Sequence, residues 1–275
     1  MIALDIDGTL LDSKWEVPEA NRDAIAEAAG RGIEVVLVTG RRFDFARPIA
    51  EQLPCELFLI VNNGAVIKAK DGATHMRHLL PRGIAREVLE ATVEFRGGAA
   101  VVFDRPRARQ VIFEKVDWND PCRKSYFERN REFLAEVAPL EDCLVEDPIQ
   151  VMFTGPVGEM RRAAGVLRGL GCAGDFALAV TEYEKRDFAM LDVIRKGCSK
   201  GASLAEWTQR RGIKREEVMA IGDNWNDREM LEYAGVPVVM GNSVPELKKL
   251  GWPVTLSNDE GGVAEAIRVY ALGEA

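Results

Sequence analysis

Short strands that are apolar on both faces alternate with helical segments in the first third of the chain, and this alternation limits the fold more than any other feature of the sequence. Residues 2–6, 33–38 and 57–61 are apolar almost without interruption, whereas residues 18–31 and 43–52 carry apolar side chains at helical spacing. Strands of this kind occur in parallel sheets that helices cover on both sides. The pattern therefore predicts an α/β fold built on a Rossmann-like, doubly wound parallel sheet.

The alternation changes character after residue 64. Two short strands at 65–69 and 74–79 flank a Lys-Asp-Gly turn, which is typical of a hairpin. A mixed order follows, with helices predicted at 83–95, 126–137 and 157–169 and strands at 99–104, 109–114, 149–154, 176–181 and 188–194. From residue 199 the helix–strand alternation returns. The sequence thus predicts a discontinuous core domain, residues 1–80 and 195–275, interrupted by an inserted α+β cap domain, residues 81–194, with an antiparallel sheet and helices.

Charge and composition exclude several classes of partner. The chain has 275 residues and a formal net charge of −8, without a stripe of Lys and Arg, so no nucleic-acid partner is expected. Five cysteines without Cys-x-x-Cys spacing indicate reduced thiols rather than a disulfide frame or a zinc site. Neither a basic leader with an apolar segment nor a run of about 18 apolar residues is found. We therefore expect a cytoplasmic protein without a membrane partner, either a monomer or a homodimer, whose start codon could lie slightly upstream of Met1.

Two carboxylates follow the first predicted strand. Asp5 and Asp7 stand two residues apart where the strand gives way to a loop, and Gly8 next to them supplies backbone freedom. At the carboxyl end of a strand such a pair can converge on a cation and a bound anion. A strand that ends in an ordinary Asp-Gly turn is the alternative, so the pair alone does not decide between a turn and a site.

Three further segments carry groups that such a site needs. Thr39 and Gly40 offer a hydroxyl and backbone amides for an anion. Asp223 and Asp227 offer a ligand and a supporting carboxylate for a hard cation such as Mg²⁺, and Lys200 supplies a positive charge. Each has an ordinary alternative, namely a helix cap, an acidic cap or a solvated lysine. Because ligands bind outside the carboxyl ends of parallel strands, we expect these groups to converge on the two carboxylates of the first loop.

Taken together, these segments resemble the haloacid dehalogenase-like phosphatase superfamily, and within it the Cof-type hydrolases, which have a large cap inserted after the third strand. The matching segments are Asp5-Ile6-Asp7-Gly8-Thr9-Leu10-Leu11, Thr39-Gly40-Arg41, Asn62-Asn63-Gly64-Ala65, Ser199-Lys200-Gly201, Gly222-Asp223-Asn224-Trp225-Asn226-Asp227, Met240-Gly241-Asn242 and Ser257-Asn258-Asp259-Glu260-Gly261-Gly262-Val263-Ala264. The resemblance spans the core from end to end, whereas in the cap it rests on the order of the elements.

The resemblance implies a Mg²⁺-dependent phosphomonoester hydrolase that acts through an aspartyl-phosphate on a small phosphorylated metabolite, such as a sugar phosphate or a cofactor or nucleotide phosphate. Asp5 would be the nucleophile, and Asp7 the general acid and base. The implied catalytic residues are Asp5, Asp7, Thr39 and Lys200; the implied Mg²⁺ ligands are Asp5, Asp7 and Asp223; the implied phosphate-binding or supporting residues are Gly8, Gly40, Asn226 and Asp227.

Contacts to the leaving group are harder to predict. Arg41, Arg42 and Asn63 lie on core loops near the predicted cleft, and Arg186 lies in a charged loop between two predicted cap strands. A solvated turn is the alternative for that loop. Trp15, which follows the first loop, is predicted either to line the cleft or to pack beneath the loop. Because specificity resides in the cap, the sequence does not name the substrate.

Two other functions are compatible with the same residues. A phosphotransferase or phosphomutase would discharge the aspartyl-phosphate to a sugar hydroxyl instead of water. A non-catalytic, metabolite-binding regulator would keep the fold without turnover, and such a protein would be expected to lose Asp7, Lys200 or Asp223, all of which are present. The hydrolase is therefore the leading hypothesis.

Overall fold

The computed structural model describes residues 1–121 and 123–274. These residues form two compact units: one consists of residues 1–77 together with the chain from Ser199 onward, and the other of the described residues of 78–198. The predicted domain boundaries, after residues 80 and 194, lie close to these divisions, and the roles of core and cap stay predictions. Among the described residues, no helix combines the length and apolar character that crossing a membrane requires.

The first unit begins with strands and helices in alternation. Its first half contains β1 (Ile2–Leu4), α1 (Glu19–Gly30), β2 (Val35–Val38), α2 (Phe43–Ala50), β3 (Leu57–Val61), β4 (Val66–Ala69) and β5 (Thr74–Arg77). Every residue of β1 and β2 is buried. These strands need apolar side chains on both faces because neither face reaches water.

The second unit has its own sheet and its own core. Its helices and strands are α3 (Arg82–Ala91), β6 (Ala99–Val102), β7 (Val111–Phe113), α4 (Lys124–Asn130), β8 (Leu134–Glu136), β9 (Gln150–Gly155), α5 (Val157–Arg168), β10 (Phe176–Tyr183) and β11 (Phe188–Arg195). Within its described residues the strands form one six-stranded sheet in the order β10-β11-β9-β6-β7-β8. Val151 and Phe153 lie two residues apart, on the same face of β9. They share a buried apolar core with Leu89 of α3 and Leu167 of α5.

The chain then returns to the first unit and completes its sheet. This part contains α6 (Lys200–Arg211), β12 (Met219–Gly222), α7 (Arg228–Tyr233), β13 (Val236–Val239), α8 (Pro245–Lys248) and α9 (Gly262–Ala266). In the described part of the unit the sheet has seven strands in the order β13-β12-β1-β2-β3-β4-β5. The five strands from β13 to β3 are parallel, and β4 and β5 extend the sheet as an antiparallel hairpin. The predicted doubly wound core is confirmed.

Two predictions of local structure are wrong. The first strand ends at Leu4 rather than at residue 6, because the chain enters a wide turn in which the N–H of Leu10 donates to the carbonyl of Asp5 at 3.3 Å. The helix predicted at 126–137 ends at Asn130. Leu134–Glu136 forms β8 instead and pairs in parallel with β7, so the second sheet is antiparallel except at this edge. Pairing with a neighbouring strand overrides the helical spacing of these apolar residues.

Candidate active site

The strand order brings three of the predicted loops side by side. β1 lies between β2 and β12, with Leu4 aligned with Leu37 on one side and with Ile221 on the other. The loops that begin at Asp5, Thr39 and Asp223 therefore leave the sheet at neighbouring points of its carboxyl edge. The order of the strands also reverses between β1 and β12, and ligands of open α/β sheets bind at such a reversal.

A lysine bridges two aspartates at this edge. Lys200 Nζ lies 2.6 Å from Asp5 Oδ1 and 2.6 Å from Asp227 Oδ1. The side chains are 2%, 6% and 0% exposed, respectively. Lys200 is the first residue of α6, and Ser199 caps that helix by accepting a hydrogen bond from the N–H of Ala202 at 3.1 Å. We call Lys200, Asp5 and Asp227 the buried lysine cluster.

Asp227 is fixed through both of its oxygens. While Oδ1 binds Lys200, Oδ2 accepts hydrogen bonds from the N–H groups of Asp223 and Asn224, each at 3.0 Å. A Cβ on Gly222 would lie 2.6–2.8 Å from the Cβ and carboxyl group of Asp227, so the close approach requires glycine. Asp227 thus holds both the lysine and the backbone of the Asp223 loop in place.

Asp223 is held against the first loop. Thr9 Oγ1 donates to Asp223 Oδ1 at 3.2 Å. Gly8 has a φ of 82°, and any Cβ there would overlap the Asp223 carboxylate. Asn242 Nδ2 donates to the carbonyl of Gly8 at 2.7 Å. Glycine at position 8 therefore permits both the left-handed backbone and the close approach of the Asp223 carboxylate.

Burial and mutual repulsion perturb the acids of this site. Burial raises the pKa of Asp5 well above its ordinary value; repulsion from Asp227 adds to the rise, and Lys200 opposes it. Burial, with the charge of Asp227, raises the pKa of Asp223 to about 7. Burial alone would lower the pKa of Lys200, but attraction by Asp227 and Asp5 outweighs it, and the pKa is raised. Lys200 therefore stays positively charged, but its single charge does not balance the charges of all the carboxylates around it.

Arg41 forms an ion pair with Asp7, the second carboxylate of the first loop. Its Nε lies 2.7 Å from Asp7 Oδ2, and its Nη2 lies 2.6 Å from Asp7 Oδ1. The two side chains are 23% and 30% exposed. The Arg41 guanidinium carbon also lies 5.8 Å from the centre of the Trp15 ring. Arg41, a predicted substrate contact, thus forms a two-pronged ion pair with the predicted general acid.

The remaining predicted residues of the first unit surround this centre in part. Asn63 donates its N–H to the carbonyl of Thr39 at 3.1 Å, and a Cβ on Gly40 would lie 3.0 Å from Asn63 Oδ1. Asn226 is half-buried in the turn Trp225–Asp227. Arg42 is buried, with its guanidinium carbon 5.0 Å from the centre of the Phe45 ring. Arg42 therefore packs against its own helix.

Arg186 belongs to the second unit. It is exposed in the turn Glu184–Arg186, which joins β10 and β11. Its predicted contact with substrate stays a prediction.

Two residues near the carboxylates form contacts that the sequence did not predict. Thr9 bonds Asp223, and Asn242 bonds Gly8. Asn242 follows the carboxyl end of β13 by the same rule that located the other loops. Its position was therefore a usable signal, whereas the direction of the Thr9 hydroxyl depends on the turn geometry.

The residues at this edge fit a divalent cation. Carboxylate oxygens of Asp5, Asp223 and Asp227 all lie within 4.8 Å of one another. With Asp7 the site holds four carboxyl groups, against the two cations Lys200 and Arg41 that pair with them, so full ionisation of the four acids would leave an excess of two negative charges. Oxygen donors with excess negative charge are the chemistry that Mg²⁺ prefers.

A parallel sheet with this acidic, lysine-containing centre at its carboxyl edge defines an α/β enzyme. Residues 2–267 match a family model described as haloacid dehalogenase-like hydrolase. The chain belongs to that family of hydrolases, as its motifs predict.

Proteins of known name or structure can be aligned with nearly the whole chain. Phosphatase YwpJ of Bacillus subtilis is 30% identical over 98% of both chains. The 5-amino-6-(5-phospho-D-ribitylamino)uracil phosphatase YcsE of the same organism is 29% identical over 99% of this chain and 96% of its own. A haloacid dehalogenase-like hydrolase from Bacteroides thetaiotaomicron superimposes with a TM-score of 0.81 and 28% identity, over 98% of both chains.

Proposed function

We propose that this protein is a Mg²⁺-dependent phosphomonoester hydrolase that acts on a small phosphorylated metabolite through an aspartyl-phosphate on Asp5. The observation that carries the proposal is the buried lysine cluster, in which a charged lysine joins Asp5 to Asp227, with Asp223 beside them at the carboxyl edge of the sheet. The names of two relatives, both phosphatases, support the same class of reaction.

In the first step Asp5 attacks phosphorus. Because Asp5 Oδ1 accepts the hydrogen bond from Lys200, we assign Oδ2 as the attacking atom. The bond from phosphorus to the leaving oxygen breaks as the bond to Oδ2 forms, and Asp7 gives its proton to that oxygen. Lys200 offsets the negative charge that would otherwise keep an anionic nucleophile away from phosphate.

In the second step water hydrolyses the aspartyl-phosphate. Asp7, now a carboxylate, takes a proton from the attacking water, and Asp5 is released. The groups that would hold the phosphoryl oxygens are the Thr39 hydroxyl, the Gly40 N–H, the Lys200 ammonium and the Asn226 amide. Arg41 binds both oxygens of the Asp7 carboxylate, which is the form that the second step uses. When Asp7 carries the proton of the first step, the contact to one of these oxygens opens and the other keeps the side chain oriented.

Asp5, Asp223 and the Asp7 backbone carbonyl would hold Mg²⁺. The bound ion would supply charge neutralisation for the phosphoryl group. Asp227 has both oxygens engaged by Lys200 and by backbone N–H groups, which suits a supporting role rather than a direct ligand. A cytoplasmic location, the lack of a nucleic-acid partner and a monomeric or homodimeric state stay predictions from the sequence.

The direct test is release of inorganic phosphate from p-nitrophenyl phosphate and from a panel of metabolite monoesters, with Mg²⁺ or with EDTA. We expect turnover with Mg²⁺, loss of turnover with EDTA and loss of turnover in Asp5→Asn. Asp71→Asn is the matched control, because Asp71 lies in the turn after β4, which runs antiparallel to β3 and so ends at the opposite edge of the sheet. An inactive wild type, or an Asp5→Asn variant as active as the control, contradicts the proposal.

A further inference from the structure

Trp15 occupies an unfavourable backbone conformation with its side chain in solvent. Its φ is 67°, in the left-handed region that bulky residues rarely adopt. The loop is tightly held, because the Asp12 carboxylate accepts hydrogen bonds from the N–H groups of Lys14 and Glu16, each at 2.9 Å. The N–H of Trp15 itself donates to the Asp12 carbonyl at 3.0 Å. Trp15 is nevertheless 56% exposed, so it does not pack beneath the loop.

A charged contact of this ring leads to the reacting groups. Arg41 lies against the indole, with its guanidinium carbon 5.8 Å from the ring centre, and the same guanidinium binds both oxygens of Asp7. Under the proposed function, Asp7 protonates the leaving oxygen. The group attached to that oxygen therefore departs beside Arg41 and within reach of the indole.

We propose that Trp15 is a specificity-determining residue that stacks on a planar leaving group, which rests on the proposed phosphatase function. The preferred substrates are monoesters whose phosphate is attached to an aromatic or heteroaromatic ring, directly or through one carbon. A rigid loop and the Arg41 contact orient the indole before substrate arrives, so stacking costs little side-chain entropy. A flat ring gains from this surface, whereas an acyclic polyol presents no π-face to it.

Binding of two phosphonates that differ only in the ring tests this inference. Phenylphosphonate and cyclohexylphosphonate are both dianions in alkaline buffer and have nearly the same size, and neither is hydrolysed. By titration calorimetry with Mg²⁺ we expect the wild type to bind the phenyl compound about tenfold more tightly, the usual worth of one stacked ring. Trp15→Asn keeps a residue that tolerates the left-handed backbone, so this variant should lose the preference and keep its affinity for cyclohexylphosphonate. Trp15→Phe should retain most of the preference.

The control is Tyr270→Asn. Tyr270 is also an exposed aromatic residue of the first unit, at 42%, in a segment that meets the C-terminal end of α1 through a bond from Arg31 to the carbonyl of Leu272. That end of α1 lies at the opposite edge of the sheet, where β2 begins. The control should show the wild-type preference.

Three results overturn the inference: no preference in the wild type, an unchanged preference in Trp15→Asn, or equal loss of both ligands in that variant. A phenyl preference that depends on Trp15 in a protein that hydrolyses no monoester would contradict the proposed function alone. Hydrolysis that depends on Asp5, without a phenyl preference, would contradict the inference alone.

Discussion

The two units each contain a cation that bridges two carboxylates at similar distances, and the two arrangements differ in their exposure to water. In the first unit, Lys200 lies 2.6 Å from both Asp5 and Asp227. In the second, Arg161 lies 2.7 Å from Glu182 and 2.6 Å from Glu184. Lys200 is 2% exposed, whereas Arg161 is 58% exposed.

The difference in exposure decides what each arrangement can do. Water and salt screen exposed ion pairs, and most contribute little to stability. Buried partners have lost their hydration and depend on one another, so removing one leaves a charge without compensation. A buried excess of negative charge can also be used for binding and chemistry. We therefore expect the buried lysine cluster to respond strongly to substitution and the Arg161 arrangement hardly at all.

The largest effect is expected from Lys200→Met. The substitution keeps the length of the side chain but leaves Asp5 and Asp227 buried without their cation. The free energy of unfolding should fall by about 3–5 kcal/mol, measured by urea denaturation in buffer free of Mg²⁺. An unchanged denaturation midpoint would mean that the lysine is not needed to offset the two aspartates.

The second effect concerns the metal. Because the site carries an excess of negative charge, Mg²⁺ at one hundred times its dissociation constant should stabilise the folded wild type by about 2.7 kcal/mol. The rise in melting temperature should disappear in Asp223→Asn and persist in Glu182→Gln, which alters the exposed arrangement instead. Equal stabilisation of both variants would show that Mg²⁺ acts elsewhere.

The third effect tests the half-exposed ion pair between Arg41 and Asp7. If Arg41 positions the general acid, Arg41→Ala should lower kcat by about 10- to 100-fold for an alkyl phosphate, whose leaving group needs a proton. The loss should be much smaller for p-nitrophenyl phosphate, whose leaving group departs readily as an anion. Arg41→Lys should recover little, because lysine lacks the two-pronged geometry. A change in KM alone, equal for both substrates, would indicate a substrate contact instead.

The smallest effect is expected from Arg161→Met. Glu184 is 66% exposed and Glu182 is 27% exposed, so water can still solvate both carboxylates after the cation is removed. Urea denaturation and steady-state turnover should match the wild type within error. A loss comparable to that of Lys200→Met would remove the distinction between the two arrangements.

The fold of the first unit was predictable because one rule governs it. Strands such as Val35–Val38, buried on both faces, have no polar positions, and that absence is visible in the sequence. The strand Leu134–Glu136 was not predictable in the same way. Its residues are only partly buried at a sheet edge, so its pairing with β7 depends on distant residues rather than on a local pattern.

The candidate site shows the same division. The approach of Asp5, Lys200 and Asp223 follows from strand ends meeting at one edge, which the sequence predicts. The partner of Arg41 does not, because a long side chain on one loop can reach several groups on the next. The left-handed backbone of Trp15 was equally unpredictable, because the position is occupied by neither glycine nor asparagine, the residues that usually indicate such a conformation.

In the proposed reaction Asp5 becomes phosphorylated and Asp7 only moves protons. Rapid quenching in acid after one turnover with a radiolabelled aryl phosphate measures protein-bound phosphate directly. We predict label on the wild type and on Asp7→Asn, because a good leaving group departs without a proton, and none on Asp5→Asn. Label on Asp5→Asn, or equal loss of label in both variants, would rule out this division of roles between Asp5 and Asp7.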